Sequence, residues 1–318
     1  MSKNLYMSIF FKVITFLVKV LKTLFKKGKK TIEYTKKSLK SIRRYFPGSK
    51  IILSTWKGEE IKDLDYDYLI ENEYDPEQTW MNGIKSNCFR QIVSARNGLK
   101  HVKSKYAFKT RTDIKMTSNK IVKYYIKYNK YNFDTKYKLL KNRIITLTSY
   151  NPHRINKLPY FRQDFIGFGL TEDLIDIFDI PMIEEKIYRI DENNNKTCEI
   201  NPFFCEQYMW VKFLQKFNKN ILLTNPTDIS NNNIELSEKY FANNCIILSG
   251  EKAGIIWLKN PYTRFFWFIP FLNTGGVYTF NEYKILLNKY SNNKIRIIFY
   301  PLESVLYSII HNFILLIK

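Results

Sequence analysis

The sequence predicts an α/β protein whose mixed sheet is flanked by helices, with an amphipathic helix ahead of it. Three observations carry this. Short apolar runs such as Lys50–Thr55 (KIILST) and Ile144–Thr148 have the length and β-branched content of buried strands. Amphipathic stretches of helical period alternate with them, as a helix-covered sheet requires. With 318 residues, 45% hydrophobic and 16% aromatic, the chain can bury one sizeable core and is not disordered.

The first thirty residues stand apart. In Ser8–Lys30, Lys12, Thr15, Lys19, Lys22 and Lys26 recur at spacings of three and four, a polar stripe opposite a wide apolar face if the segment is helical. Burying those lysines at a bilayer centre would cost about 2.5–3.5 kcal/mol each, which argues against a membrane span. Lysines inside the apolar run, with no small-residue cleavage site after it, also argue against a secretory signal. The expectation is a basic amphipathic helix over 1–30 lying on an anionic membrane surface, where each charge of Lys26–Lys30 adds about 1 kcal/mol. The competing reading is a helix packed on the protein's own core.

Elements then follow in order. Thr31–Tyr45 reads as a helix stopped by Pro47-Gly48, Lys50–Thr55 as a strand and Asp67–Glu71 as another. Arg90–Val102 is an amphipathic helix, and Tyr106–Lys109 is a strand running into Arg111-Thr112-Asp113. Ile144–Thr148 and Phe165–Phe168 are further strands. Thr171–Phe178 reads as a helix with Thr171 as N-cap, and Phe204–Lys216 as a second. Asp191–Asn195 and Ser230–Asn233 read as polar loops. The segment from Gly250 on reads as a less regular tail ending in an apolar stretch too short to span a bilayer. The domain reading is therefore 1–30, 31–250 and 251–318.

The formal net charge of +22 favours anionic partners. A chain saturated with Lys, Asn, Ile, Tyr and Phe carries such a charge without selection for any of them. With no helix-turn-helix, zinc-finger or RRM signature, no nucleic-acid partner is expected. The cysteines Cys88, Cys198, Cys205 and Cys245 form no CxxC pair and three His are scattered, so neither a zinc site nor a disulfide framework is expected.

Residues 90–116 carry the most chemistry. A strand delivers Asp113 at its carboxyl end, where open α/β sheets bind ligands. Asp113 there suits a metal or a ribose hydroxyl, and Arg96 and Arg111 suit a pyrophosphate. Asp164 precedes a Phe-Ile-Gly-Phe-Gly run whose glycines would admit an acceptor. Glu206 opens a helix, where the dipole favours a carboxylate in any case. Either acid is a candidate base, and the sequence does not choose between them.

This helix–strand–acid layout resembles the nucleotide-sugar half of GT-A glycosyltransferases. Four segments, Ser41–Glu60, the RQIVSARNGL…KTRTD stretch, Asp164–Leu174 and Glu206–Trp210, stand in the order of the WavE-type lipopolysaccharide-synthesis family. The resemblance covers roughly Thr31–Phe213. It implies a GT-A-like, Rossmann-related fold in a bacterial protein on the inner face of the cytoplasmic membrane. It also implies sugar transfer from a nucleotide-sugar to a lipid-linked acceptor of lipopolysaccharide or capsule. The donor would be held by Arg96, Asn97, Arg111 and Asp113, with Asp113 as ligand of Mg²⁺ or Mn²⁺ and Asp164 or Glu206 activating the acceptor. Two departures stand out. Arg111-Thr112-Asp113 replaces an Asp-x-Asp, and the Lys/Phe segment occupies the place of a first strand that would line the nucleotide. They motivate the alternative of a membrane-associated member that kept the fold and lost the chemistry.

Overall fold

In the computed structural model the described residues are 14–19, 28–73, 78–79, 85–154, 157–182, 186–190, 196–200, 204–223, 225–259 and 276–297. Strands are β1 (Ile14–Lys19), β2 (Lys50–Trp56), β3 (Tyr68–Asn72), β4 (Gln78–Thr79), β5 (Lys85–Ser86), β6 (Tyr106–Arg111), β7 (Ile114–Met116), β8 (Ile144–Leu147), β9 (Ile166–Leu170), β10 (Lys186–Ile190), β11 (Lys196–Ile200), β12 (Cys245–Leu248) and β13 (Ile255–Trp257). Helices are α1 (Gly28–Tyr45), α2 (Cys88–Lys100), α3 (Lys120–Tyr128), α4 (Thr171–Phe178), α5 (Cys205–Gln215), α6 (Asn231–Asn244), α7 (Gly250–Ala253) and α8 (Phe280–Tyr290).

A seven-stranded sheet runs β12-β8-β9-β6-β1-β2-β3. Counting only its own strands in chain order, it reads 3-2-1-4-6-5-7 from the β3 edge. All neighbours pair in parallel except at β9, which runs antiparallel to both β6 and β8. The order reverses between β1 and β6, a topological switch point of the kind that opens a crevice at the carboxyl ends of strands. Strands β8, β9 and β12 are buried at every position, because helices cover both faces. The hairpins β10-β11 and β4-β5 and the pair β7-β13 lie outside this sheet.

The strand β1 corrects the sequence reading. Residues 14–19 are not helical. They pair with β2 on one side (Leu17↔Ile52) and β6 on the other (Leu17↔Lys109). The lysine spacing matches a helix, but the β-branched and aromatic content of Ile14–Lys19 (ITFLVK) also suits a strand, and two flanking parallel strands decide in its favour. Residues 28–30 begin α1, and the rest of the expected N-terminal helix lies outside the described residues. No helix among the described residues is long and apolar enough to cross a membrane.

Helix α1 buries Thr35, Ser38, Leu39, Ser41 and Ile42 along one stripe. Its hydroxyls hold β7: Ser38 Oγ donates to the Ile114 carbonyl (2.6 Å) and Ser41 Oγ accepts from Met116 N–H (2.9 Å). The described residues past 250, 251–259 and 276–297, join the same core. β13 pairs with β7, and Tyr283 Oη on α8 donates to the Cys245 carbonyl (2.8 Å). Ser230–Asn233, read as a loop, is instead the start of α6. Leu170, not Thr171, caps α4, while Thr171 Oγ1 donates to the Ser104 carbonyl (2.7 Å). Asp191–Asn195 and the C-terminal apolar stretch lie outside the described residues.

Candidate active site

The antiparallel setting of β9 assembles the site. Its first residue, Ile166, pairs with Thr110 near the end of β6. The residues just before β9 therefore reach the same edge as those just after β6. Arg111 lies opposite Lys19, the last residue of β1, so this edge is also the switch point.

At this edge Arg111 and Asp113 close on each other. Arg111 Nε donates to Asp113 Oδ1 (2.9 Å) and Nη2 to Oδ2 (2.8 Å), a bidentate pair. Trp257 Nε1 donates to the same Oδ2 (2.9 Å), and Lys259 Nζ stands 3.5 Å from it. The Arg111 guanidinium lies over the Phe165 ring (4.5 Å) and near that of Trp257 (6.0 Å). Burial raises the cost of ionising Asp113, but Arg111, Trp257 and Lys259 outweigh it and hold the carboxyl below the usual range.

Behind this pair Lys109 and Asp164 are buried, with Lys109 Nζ 3.4 Å from Asp164 Oδ2 and also donating to the Asp164 carbonyl. Burial pulls the Lys109 ammonium below its usual range, and the Asp164 charge opposes that. Arg162 is buried over the Trp210 ring (5.5 Å), within electrostatic reach of Asp164 and Glu206. Its Nε and Nη2 have no hydrogen-bond partner among the described residues.

Glu206 stands in the first turn of α5. Cys88 at the start of α2 contacts the Cys205 carbonyl (3.9 Å), tying the two helix starts together. Burial and then the Asp164 carboxylate push Glu206 up to about 7, with Arg111 and Lys109 pulling the other way. Two carboxyls in different settings divide the roles open to them. Asp164 is pinned to a buried ammonium, whereas Glu206 is half-buried and poised to exchange a proton near neutral pH.

The structure thus brings Arg111, Asp113, Asp164 and Glu206 together. Arg96 and Asn97 do not join their hydrogen bonds. Asn97 Nδ2 donates to Asn72 Oδ1 (2.8 Å), and Asn72 in turn bonds Ser54 Oγ and the Thr55 carbonyl. The Arg96 side chain is half-buried on α2 with no hydrogen bond or ion pair among the described residues. The glycines after Asp164 serve packing rather than an acceptor. A Cβ on Gly167 would stand 3.0 Å from Leu174 of α4, and one on Gly169 would stand 2.9 Å from Ile144 of β8. Trp56 and Trp210 are core residues. Sequence reasoning missed Lys109, Arg162, Trp257 and Lys259. The last two sat in an apparently irregular tail, and only the β7-β13 pairing brings them to Asp113.

Among the described residues no group of three or more His, Cys, Asp or Glu could hold an ion. Both Asp113 oxygens already accept from cations or an indole.

The assembled edge defines an α/β protein with a charged site at a switch point. Residues 14–266 match the family described as WavE lipopolysaccharide synthesis, and the chain belongs to that family. A search of curated proteins finds no match. Among solved structures the chain is similar to 4-diphosphocytidyl-2C-methyl-D-erythritolsynthase from Anaerococcus prevotii DSM 20548. The two share 12% identity over 80% of this chain and 96% of that one, with a TM-score of 0.34.

Proposed function

We propose that the chain is a GT-A-like glycosyltransferase of lipopolysaccharide synthesis, moving a sugar from a nucleotide-sugar to a lipid-linked acceptor. The observation that carries the reading is Glu206, raised to about 7 beside the Arg111–Asp113 pair at the switch point. Glu206 takes the proton from the acceptor hydroxyl as its oxygen attacks the anomeric carbon. The bond to the nucleotide diphosphate breaks, and Arg111 and Lys259 stabilise the charge on the departing phosphates. Asp164, held by Lys109, orients the cluster and, after burial, adds to the rise of the Glu206 carboxyl. Arg96 and Asn97 have no part in this scheme.

The test is nucleotide release from a panel of uridine, cytidine and guanosine diphosphate sugars with membrane-extracted lipid-linked glycan. One donor should turn over, and Glu206→Gln should lower its rate at least about a hundredfold, the scale of a lost general base. Full activity in Glu206→Gln would overturn the assignment. A second reading, a member that kept the fold without the chemistry, is favoured by the closure of Arg111 on Asp113. Absence of turnover with every donor would support it. The β1 strand supports the first reading, since the sheet has its strand on the nucleotide side of the switch point.

Attachment to an anionic membrane surface on the cytoplasmic side belongs to the same proposal. It now rests on α1, whose outer face exposes Lys36, Lys37, Lys40 and Arg44 with Glu33. Vesicles containing phosphatidylglycerol should float the full chain, and charge reversal at these four positions should abolish flotation. Unchanged flotation would remove α1 from the interface.

A further inference from the structure

We infer that this site neutralises the donor diphosphate with fixed side-chain cations and without a divalent metal. The inference rests on the donor-site reading above and specifies how that site works.

An ion at the Asp113 carboxylate would compete with the donors already on it. Its Oδ1 accepts from Arg111 Nε, while its Oδ2 accepts from Arg111 Nη2 and Trp257 Nε1 and faces Lys259 Nζ at 3.5 Å. A carboxylate offers about four lone-pair sites; the three hydrogen bonds take one on Oδ1 and both on Oδ2, with Lys259 crowding Oδ2 further. Mg²⁺ needs anionic oxygens at about 2.0–2.1 Å. Bound through both oxygens it would have to displace Arg111, and bound through Oδ1 alone it would stand beside the guanidinium cation.

The surrounding charge points the same way. Lys109, Arg111, Arg162 and Lys259 are four basic groups against the three carboxyls Asp113, Asp164 and Glu206, and burial works against the charge of Lys109 as it does against that of Glu206. Such a surplus, partly out of water, attracts an anion and repels a dication.

Arg111 is also preorganised for the task. The bidentate pair fixes one edge of its guanidinium, and the ring of Phe165 supports its face at 4.5 Å. Its Nη1 group makes no hydrogen bond among the described residues and remains for a phosphate oxygen. Asp113 is then a positioning residue for Arg111, and Lys259, a third exposed, is a second phosphate contact.

The experiment is equilibrium binding of uridine and cytidine diphosphates to the full chain, once with EDTA and once with Mg²⁺ or Mn²⁺. The expected result is a Kd within twofold in all buffers for the nucleotide that binds. Lys259→Met should weaken binding severalfold without a shift in melting temperature larger than that of a surface control, and Arg111→Met should weaken it at least tenfold. If Arg111→Met does not fold, Lys259→Met and Asp113→Asn carry the test. Asp113→Asn should weaken binding in EDTA and in metal by the same factor, because its effect runs through Arg111. Tightening of the wild-type Kd tenfold or more by metal, lost in Asp113→Asn, would overturn this inference and leave the glycosyltransferase reading standing. Absence of nucleotide binding in every buffer would overturn the donor-site reading itself, and this inference with it.

Discussion

Asp113 and Asp164 each face a cation, yet the two pairs do different things. The Arg111–Asp113 pair keeps some contact with solvent, its side chains 12% and 4% exposed. The Lys109–Asp164 pair lies inside, with the two side chains 0% and 1% exposed. Removing one partner of a buried pair strands the other, at a cost of about 3–5 kcal/mol. Lys109→Met should therefore lower unfolding free energy by that order, read by urea denaturation. Lys109→Met with Asp164→Leu should recover most of the loss, and failure to recover would mean the pair is not the source. The sequence places Asp113 at a strand end, so this position was legible. Lys109 was not, because a lysine inside a strand reads as an edge or surface residue. Its burial depends on Asp164, which lies 55 positions on. The choice between Asp164 and Glu206 was closed to sequence reasoning for the same reason, since their environments differ only once β9 and α5 are placed.

The elements that support the site have weak points of their own. Gly254 ends α7 at φ +71°, and its carbonyl accepts from Thr117 N–H (2.7 Å), holding β13 on β7. A Cβ there would meet the Ser118 carbonyl oxygen at 2.9 Å. Gly254→Ala should cost at least the roughly 1–2 kcal/mol of a left-handed residue, by thermal or urea unfolding, and should loosen Trp257 from Asp113. Asp173 in the first turn of α4 accepts from Lys141 and Asn142 N–H, and burial pushes its carboxyl up to about 6. Because the folded state holds this proton more tightly than the unfolded one, the contribution of this group to stability is full below 3.8 and is lost as pH rises to about 6. The slope is about 1.4 kcal/mol per pH unit in that window. Asp173→Asn should flatten that part of a urea-unfolding series across pH; an unchanged slope would assign it elsewhere. Helices α1, α2, α4 and α5 and strands β2, β3, β6, β8 and β9 were legible because each carries a local period. Helix α8 was also legible in principle: Thr279 and Glu282 form a capping box, a four-residue signal in TFNE that was passed over. Strand β13 had no such signal, since three residues acquire a partner only through the β7 contact.

At the scale of the whole molecule, strand order gives the site its place. The reversal between β1 and β6 makes a switch point at the carboxyl ends of the strands, and the antiparallel β9 returns Asp164 to the same edge. The order of the four segments allowed the family to be read from sequence, and residues 14–266 match it. The first strand was misread because a lysine stripe is compatible with two periods over so short a segment, and only flanking β2 and β6 resolve it. A substitution that breaks the pairing, such as Leu17→Pro in the centre of the sheet, should abolish the cooperative unfolding of the whole domain. Survival of a native melt in that variant would contradict the central place of β1.

The most direct test of the account is the pH dependence of kcat/KM for nucleotide release from the turned-over donor, in the wild type and in Glu206→Gln. The account predicts a wild-type rate that rises tenfold per pH unit below about 7 and levels above it, as the Glu206 carboxyl gives up its proton. Glu206→Gln should be slower by about a hundredfold or more, and without that rise. A wild-type profile flat from pH 5.5 to 8, or a rise that persists in Glu206→Gln, would contradict it.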